Sequence, residues 1–157
     1  MAGDLDDLRQ LRVMDELAHL DFLRALRDAL SGHSQREVAR ALGISQPAVC
    51  KLAATADSIG ECRPGFSGAS ITEIIARYHA DQLTREQVTF ELGHWEYEPL
   101  RWEPSSVVDD FAPFEPGTWQ EIDKALGNGQ IDDDIYKAAY RTHFQRLKRR
   151  QSNANPA

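Results

Sequence analysis

The sequence predicts an all-α fold, and three features carry that prediction. Leucines recur at three- and four-residue spacing, Ser or Thr repeatedly stands three positions ahead of Glu or Gln, and glycines close several of the stretches so marked. Each is a helical signal of a different kind: one face, one start, one stop.

Taken in order, Leu5, Leu8, Leu11, Met14 and Leu17, then Leu23, Leu26 and Leu30, trace the apolar stripe of one or two amphipathic helices that end at Gly32. Ser34 with Glu37 forms a capping box for a short helix ending at Leu42, with Gly43 as its stop. Ser45 caps the next helix, which runs to about Ala54. Pro47 is tolerated in its first turn, where backbone N–H groups have no partner inside the helix. Gly60, Pro64, Gly65 and Gly68 mark a linker. Ser70 with Glu73 and Thr84 with Gln87 open helices near Ile71 to Ala80 and Arg85 to Leu92. Gly93 to Gly117, with four prolines and five aromatics, reads as extended and irregular. Thr118 with Glu121 caps a further helix that stops around Gly127 to Gly129, and Asp132 starts the last, which ends in the basic run Arg146 to Arg150.

A weak repeat joins the later helices. Setting Glu73 on Glu121 also sets Ile74 on Ile122, Gln82 on Gln130, Leu83 on Ile131 and Thr84 on Asp132, so two helical hairpins of one design are expected. The expected organisation is a helix-turn-helix domain over 1–57, a linker over 58–69, a helical region over 70–150 with an extended Pro/aromatic segment between its hairpins, and a disordered tail over 151–157.

Composition bounds the function. The chain has 157 residues, 41% apolar and 27% charged, enough to bury a core and without a stretch apolar enough to span a bilayer. Three aspartates within the first seven residues are unlike a secretory leader, so a cytoplasmic location is expected. Cys50 and Cys62 are too few for a disulfide framework. The net charge of −7 argues against nucleic acid, yet it is unevenly placed. Ser31 to Gly60 has three basic against two acidic residues, Glu61 to Tyr140 has six against sixteen, and Arg141 to Arg150 has five basic and no acidic residue. An acidic body carrying a near-neutral reading element is compatible with a DNA binder.

The stretch most informative about function is Gln35 to Leu52. Ala39 is the small residue needed where two helices touch, and Gly43 is the turn residue free to take positive φ. Val38, Leu42, Ile44, Val49 and Leu52 are apolar. This stretch resembles the bacterial and phage helix-turn-helix family of repressors and regulators, over about a sixth of the chain. Those five stand where the family resembled buries its contacts, and Cys50 stands where serine is frequent in it. The resemblance implies a second helix whose first turn enters the major groove of double-stranded DNA. Ser45, Gln46, Pro47, Cys50 and Lys51, with Gln35 and Arg36 on the preceding helix, are the expected DNA-binding residues. Gln46 can pair with adenine, the Ser45 hydroxyl and free N–H groups suit a phosphate, and Lys51 can meet a phosphate or guanine.

Other chemistry is weakly signalled. The five histidines lack metal-binding spacing, and no phosphate loop, dinucleotide motif or nucleophile elbow is present, so no enzyme, metal or cofactor is expected. Asp132 to Asp134 suit a helix start rather than a cation. Trp95, Tyr97, Trp102, Phe111 and Phe114 lie among prolines and acids and are expected to bind a protein partner. An N-terminal DNA-binding unit followed by an acidic, aromatic region is similar in architecture to toxin-antitoxin antitoxins. The expected function is thus a sequence-specific transcriptional repressor acting by operator occupancy, as a homodimer. An antitoxin that binds its toxin, and a DNA-targeting component of a recombination or mobile-element system, are the alternatives.

Overall fold

The structure is a computed structural model that describes residues 3–99 and 115–154. It is all-α: among the described residues there are seven helices and no strand. They group into two compact units, Met1–Arg63 and Pro64–Ala157.

The first unit holds α1 (Gly3–Gly32), α2 (Gln35–Leu42) and α3 (Gln46–Asp57). α1 is a single helix of 30 residues, because no proline or glycine interrupts it between Asp4 and Ser31. Leu23 and Leu26 on its second half, Val38 and Ala39 on α2, and Val49 and Ala56 on α3 form the core. Ala39 is buried, and Val49 is fully so. α3 runs three residues beyond the expected Ala54, to Asp57. Its end is tied back to α1 by two arginines. Arg24 donates to the Gly60 carbonyl at 3.0 and 3.1 Å, and Arg27 donates to the carbonyls of Ala56 at 2.9 Å and Ile59 at 2.7 Å and pairs with Glu61.

The second unit holds α4 (Ile71–His79), α5 (Arg85–His94), α6 (Gln120–Gly127) and α7 (Asp133–Ala154). Its core joins Ile71, Ile74 and Ile75 of α4 and Val88 and Leu92 of α5 to Ile122, Ile135 and Ala139 of α6 and α7. α5 and α7 cross closely at Gly93, where a Cβ would come within 2.8 Å of Thr142 Cβ. The segment expected as a linker is divided between the units. Residues 59–61 are held by Arg24 and Arg27, while Ser67 donates through N and Oγ to the Glu91 carboxylate at 2.9 and 2.6 Å. α7 continues through 151–154, part of the stretch assigned to a tail.

The 48-residue repeat extends to the hydrogen bonds. Gln82 N donates to Arg77 O at 2.9 Å as Gln130 N donates to Ala125 O at 2.8 Å. Asp81 and Gly129, at φ +55 and +69, make the same left-handed turn, and Leu83 and Ile131 are buried behind it. Ahead of each hairpin a backbone N–H, of Ala69 or Gly117, donates to the carboxylate of Glu73 or Glu121. Two expected caps differ. Ser70 accepts from Glu73 N, but the Glu73 carboxylate turns to Ala69 N and to Arg77, so no reciprocal box forms. Thr118 is buried and donates to Glu115 O, so α6 starts after Trp119 without a side-chain cap.

Candidate nucleic-acid interface

α2 and α3 are joined by three residues, and their conformations follow from the sequence. Ser34 Oγ accepts from Glu37 N at 3.3 Å and the Glu37 carboxylate accepts from Ser34 N at 2.8 Å, which fixes the start of α2. These bonds, the backbone one foremost, hold the Glu37 carboxyl below the usual carboxylate range. At the other end Gly43 takes φ +66, its N–H reaches Arg40 O, and Ile44 N reaches Ala39 O at 3.0 Å. That pair of bonds is the Schellman ending, and only glycine adopts it without strain. The chain leaves it extended at Ser45, whose Oγ accepts from Ala48 N at 3.3 Å and so opens α3. Pro47 occupies the first turn, where its missing N–H costs nothing.

The result is an α3 whose first turn is exposed and polar. Ser45, Gln46, Pro47, Cys50 and Lys51 all face solvent, as does Arg36 on α2, while Gln35 is half-buried. Arg40, one helical turn after Arg36, is also exposed; it was not among the expected site residues, although basic residues four apart on a helix share a face. Arg36, Arg40 and Lys51 make no ion pair among the described residues, so their charge is available. Two apolar expectations are corrected: Leu42 is 41% and Ile44 38% exposed. They stand at the end of α2 and in the turn, outside the core cluster that Val38 and Ala39 join.

The expected partner-binding residues divide. Trp95 is 3% exposed, inside the core of the second unit with its ring near-perpendicular to that of Phe66 at 5.0 Å, which corrects its expected place on a docking arm. Tyr97 is half-buried: its hydroxyl donates to Leu92 O at 2.7 Å and its ring meets Trp119 and His143. Trp102, Phe111 and Phe114 lie outside the described residues. Trp119 stacks on His143 at 5.1 Å, and burial, with Arg146 and Arg150 nearby, pushes the His143 pKa down.

Among the described residues no group of three His, Cys, Asp or Glu is placed to hold a metal ion, and no helix is long and apolar enough to cross a membrane. No family model matches the chain, and no curated protein or solved structure matches it.

Proposed function

We propose that α2, the Gly43 turn and α3 act as a helix-turn-helix that binds a specific double-stranded DNA sequence, and that the protein represses transcription by occupying that site. The observation that carries this reading is the exposed, polar first turn of α3, held by the left-handed Gly43 and the Ser45 cap. A turn so presented fits the major groove. Gln46, which is exposed, would pair with an adenine edge, and the N–H groups of the turn would favour a phosphate.

Charge sets the scale of the interaction. If Arg36, Arg40 and Lys51 each neutralise a phosphate, log K falls with log salt at a slope of about −3 per copy. That is a weak sequence-independent grip, so the reading depends on base contacts for its affinity. Repression then needs no cofactor, only that polymerase or an activator be excluded from the same DNA. The antitoxin alternative is weakened, because Trp95 is buried and so is lost to a partner-binding arm.

Selection of bound sites from a random DNA pool, followed by titration of the selected duplex at two salt concentrations, tests the proposal. A single enriched motif is expected. Gln46→Ala should relax preference at one base of it by roughly 1–3 kcal/mol, and Lys51→Ala should lower affinity for all duplexes and reduce the salt slope by about one. No enriched motif, or variants that bind as the parent does, would remove α3 as the reader.

A further inference from the structure

Within the second unit, α7 and the segment that follows α5 enclose a cavity of about 190 Å³. His143, Arg146, Leu147 and Arg150 stand at i, i+3, i+4 and i+7, so one face of α7 forms a wall, and Trp95, Glu96 and Tyr97 form the other. The donors on these walls are not used up. His143 is 8% exposed, with its ring against those of Trp119 at 5.1 Å and Tyr97 at 4.8 Å, yet neither ring nitrogen makes a hydrogen bond among the described residues. A buried polar group without a protein partner is met by water or a ligand, and neither nitrogen is sealed from solvent.

Arg146 is in the same position. It is half-buried, donates through Nη1 alone, to the Gly93 carbonyl at 3.3 Å, and has no carboxylate partner among the described residues. Arg150 pairs with Glu96 at 2.7 Å. The cavity therefore carries two guanidinium groups against one carboxylate, an excess of one positive charge beside a buried imidazole. A half-buried cation without a counter-ion, next to an unpartnered ring nitrogen, suits an anion with several acceptor oxygens.

We propose that this cavity binds a phosphate group, as free phosphate or as the end of a small phosphomonoester. Such a group brings about −1.5 to −2 charge at neutral pH and three acceptor oxygens. The free edge of the Arg146 guanidinium can take two of those oxygens in a fork, and a protonated ring nitrogen of His143 the third. A carboxylate offers two acceptors and a single charge, and a phosphodiester only two free oxygens, so both fill the donor set less well. Size points the same way. Cavities that enclose a drug-sized ligand measure about 300–1,000 Å³, so this one takes the phosphate and leaves the rest of an ester in solvent.

Calorimetric titration of the full chain with inorganic phosphate and with glycerol phosphate, in a zwitterionic buffer at pH 7 and without DNA, tests this separately from the DNA reading. Two or three hydrogen bonds to charged groups correspond to a dissociation constant of about 1 mM or lower. Arg146→Gln and His143→Phe, the latter keeping the aromatic packing, should each weaken binding by about tenfold or more. Lys148→Gln removes the same charge from an exposed position off the cavity wall and should change it by less than about twofold. A preference between the two probes tells the free ion from the ester. The parent alone supplies a further readout. His143 shares the cavity with Arg146, Arg150 and Glu96, while α6 packs Trp119 on it and the charge of Glu121 bears on Tyr97. A bound phosphate adds negative charge to that set, so the depressed His143 pKa should rise in an NMR titration. No saturable binding by roughly 10 mM, an unmoved His143, or acetate or dimethyl phosphate binding as tightly as phosphate would overturn the proposal.

Discussion

The two units place their apolar residues differently. Pro64–Ala157 gathers isoleucines, leucines and Trp95 into one core, closes it with a buried Glu73–Arg77 pair at 2.8 Å, and repeats one hairpin design within it. Met1–Arg63 buries three leucines, two valines and two alanines, and leaves Leu5, Leu8, Leu11, Met14, Phe22, Leu42 and Ile44 more than a third exposed. Phe90, Tyr140 and Leu147 are open in the second unit as well, but Phe90 stacks on His94 and Tyr140 lies against Tyr136 and Phe144. A contiguous open row is not common, and it belongs to the unit with the polar helix end. The difference is one of proportion: the first unit leaves a row of aliphatic side chains open beside a small core, whereas the second gathers most of its large apolar side chains into one core.

Mutations sharpen that contrast, beginning with the second core. Trp95→Ala should cost about 3–5 kcal/mol and lower the melting transition of the second unit by roughly 15 °C or more. The first unit's transition should not move. Calorimetry that found both units melting together, before and after the change, would abolish the comparison. Gly43→Val comes next. A Cβ there meets nothing within 4 Å, so its penalty is the left-handed φ alone, about 2 kcal/mol for a branched residue. That is a large share of a thin core's stability, and thermal melts should show the first unit loosened while the second stays intact.

Ser34→Ala removes one cap and should destabilise the first unit by about 1 kcal/mol at neutral pH. The effect should shrink in acid. The Glu37 carboxyl is held below its ordinary value in the folded state, so its contribution is present above the unfolded pKa and disappears as pH falls through the folded one. The smallest effect distinguishes the second unit. Burial, with Arg146 and Arg150, depresses the His143 pKa, so the unfolded chain takes up the proton first. Stability of this unit is complete above about pH 6.5 and declines below it. His143→Gln should flatten that slope in a pH series of melts, and a slope of unchanged size would place its origin elsewhere.

Much of this was legible in the sequence because it is local. The Ser34–Glu37 and Thr84–Gln87 boxes, the Gly43 turn and the 48-residue repeat depend on neighbours within six positions, and all are present. What could not be read depends on distant segments. Leu42 and Ile44 are as apolar as core residues, yet both are more than a third exposed at the end of α2 and in the turn. Glu73 and Arg77 have the spacing of an ordinary surface pair and are buried because Gln82 and Ala69 complete their hydrogen bonds. Trp95 caps the end of α5 and turns into the core, although in the sequence it heads the proline- and aromatic-rich stretch. The exposed face of α1 was visible as a leucine stripe, but periodicity reports that a face is apolar and is silent on whether anything covers it.

The continuity of α1 has a mechanical consequence. Thirty residues in one ladder make a rod about 45 Å long, with its rear turns clamped in a core and its front turns outside it. The front turns reach about 21 Å beyond Leu17, so a tilt of roughly 10° at the clamp moves the far tip by about 4 Å, and whatever grips the front fixes the bearing of the rear, and of α2 and α3 with it. Rotational phase is transmitted as rigidly as tilt. One residue inserted near Ala18 would swing the leading turns by about 100° about the axis while every original side chain remained present. The front stripe would then no longer be aligned with Phe22 and Ala25. The relation between the two ends is therefore encoded by a residue count, which no single side chain carries and no substitution can adjust.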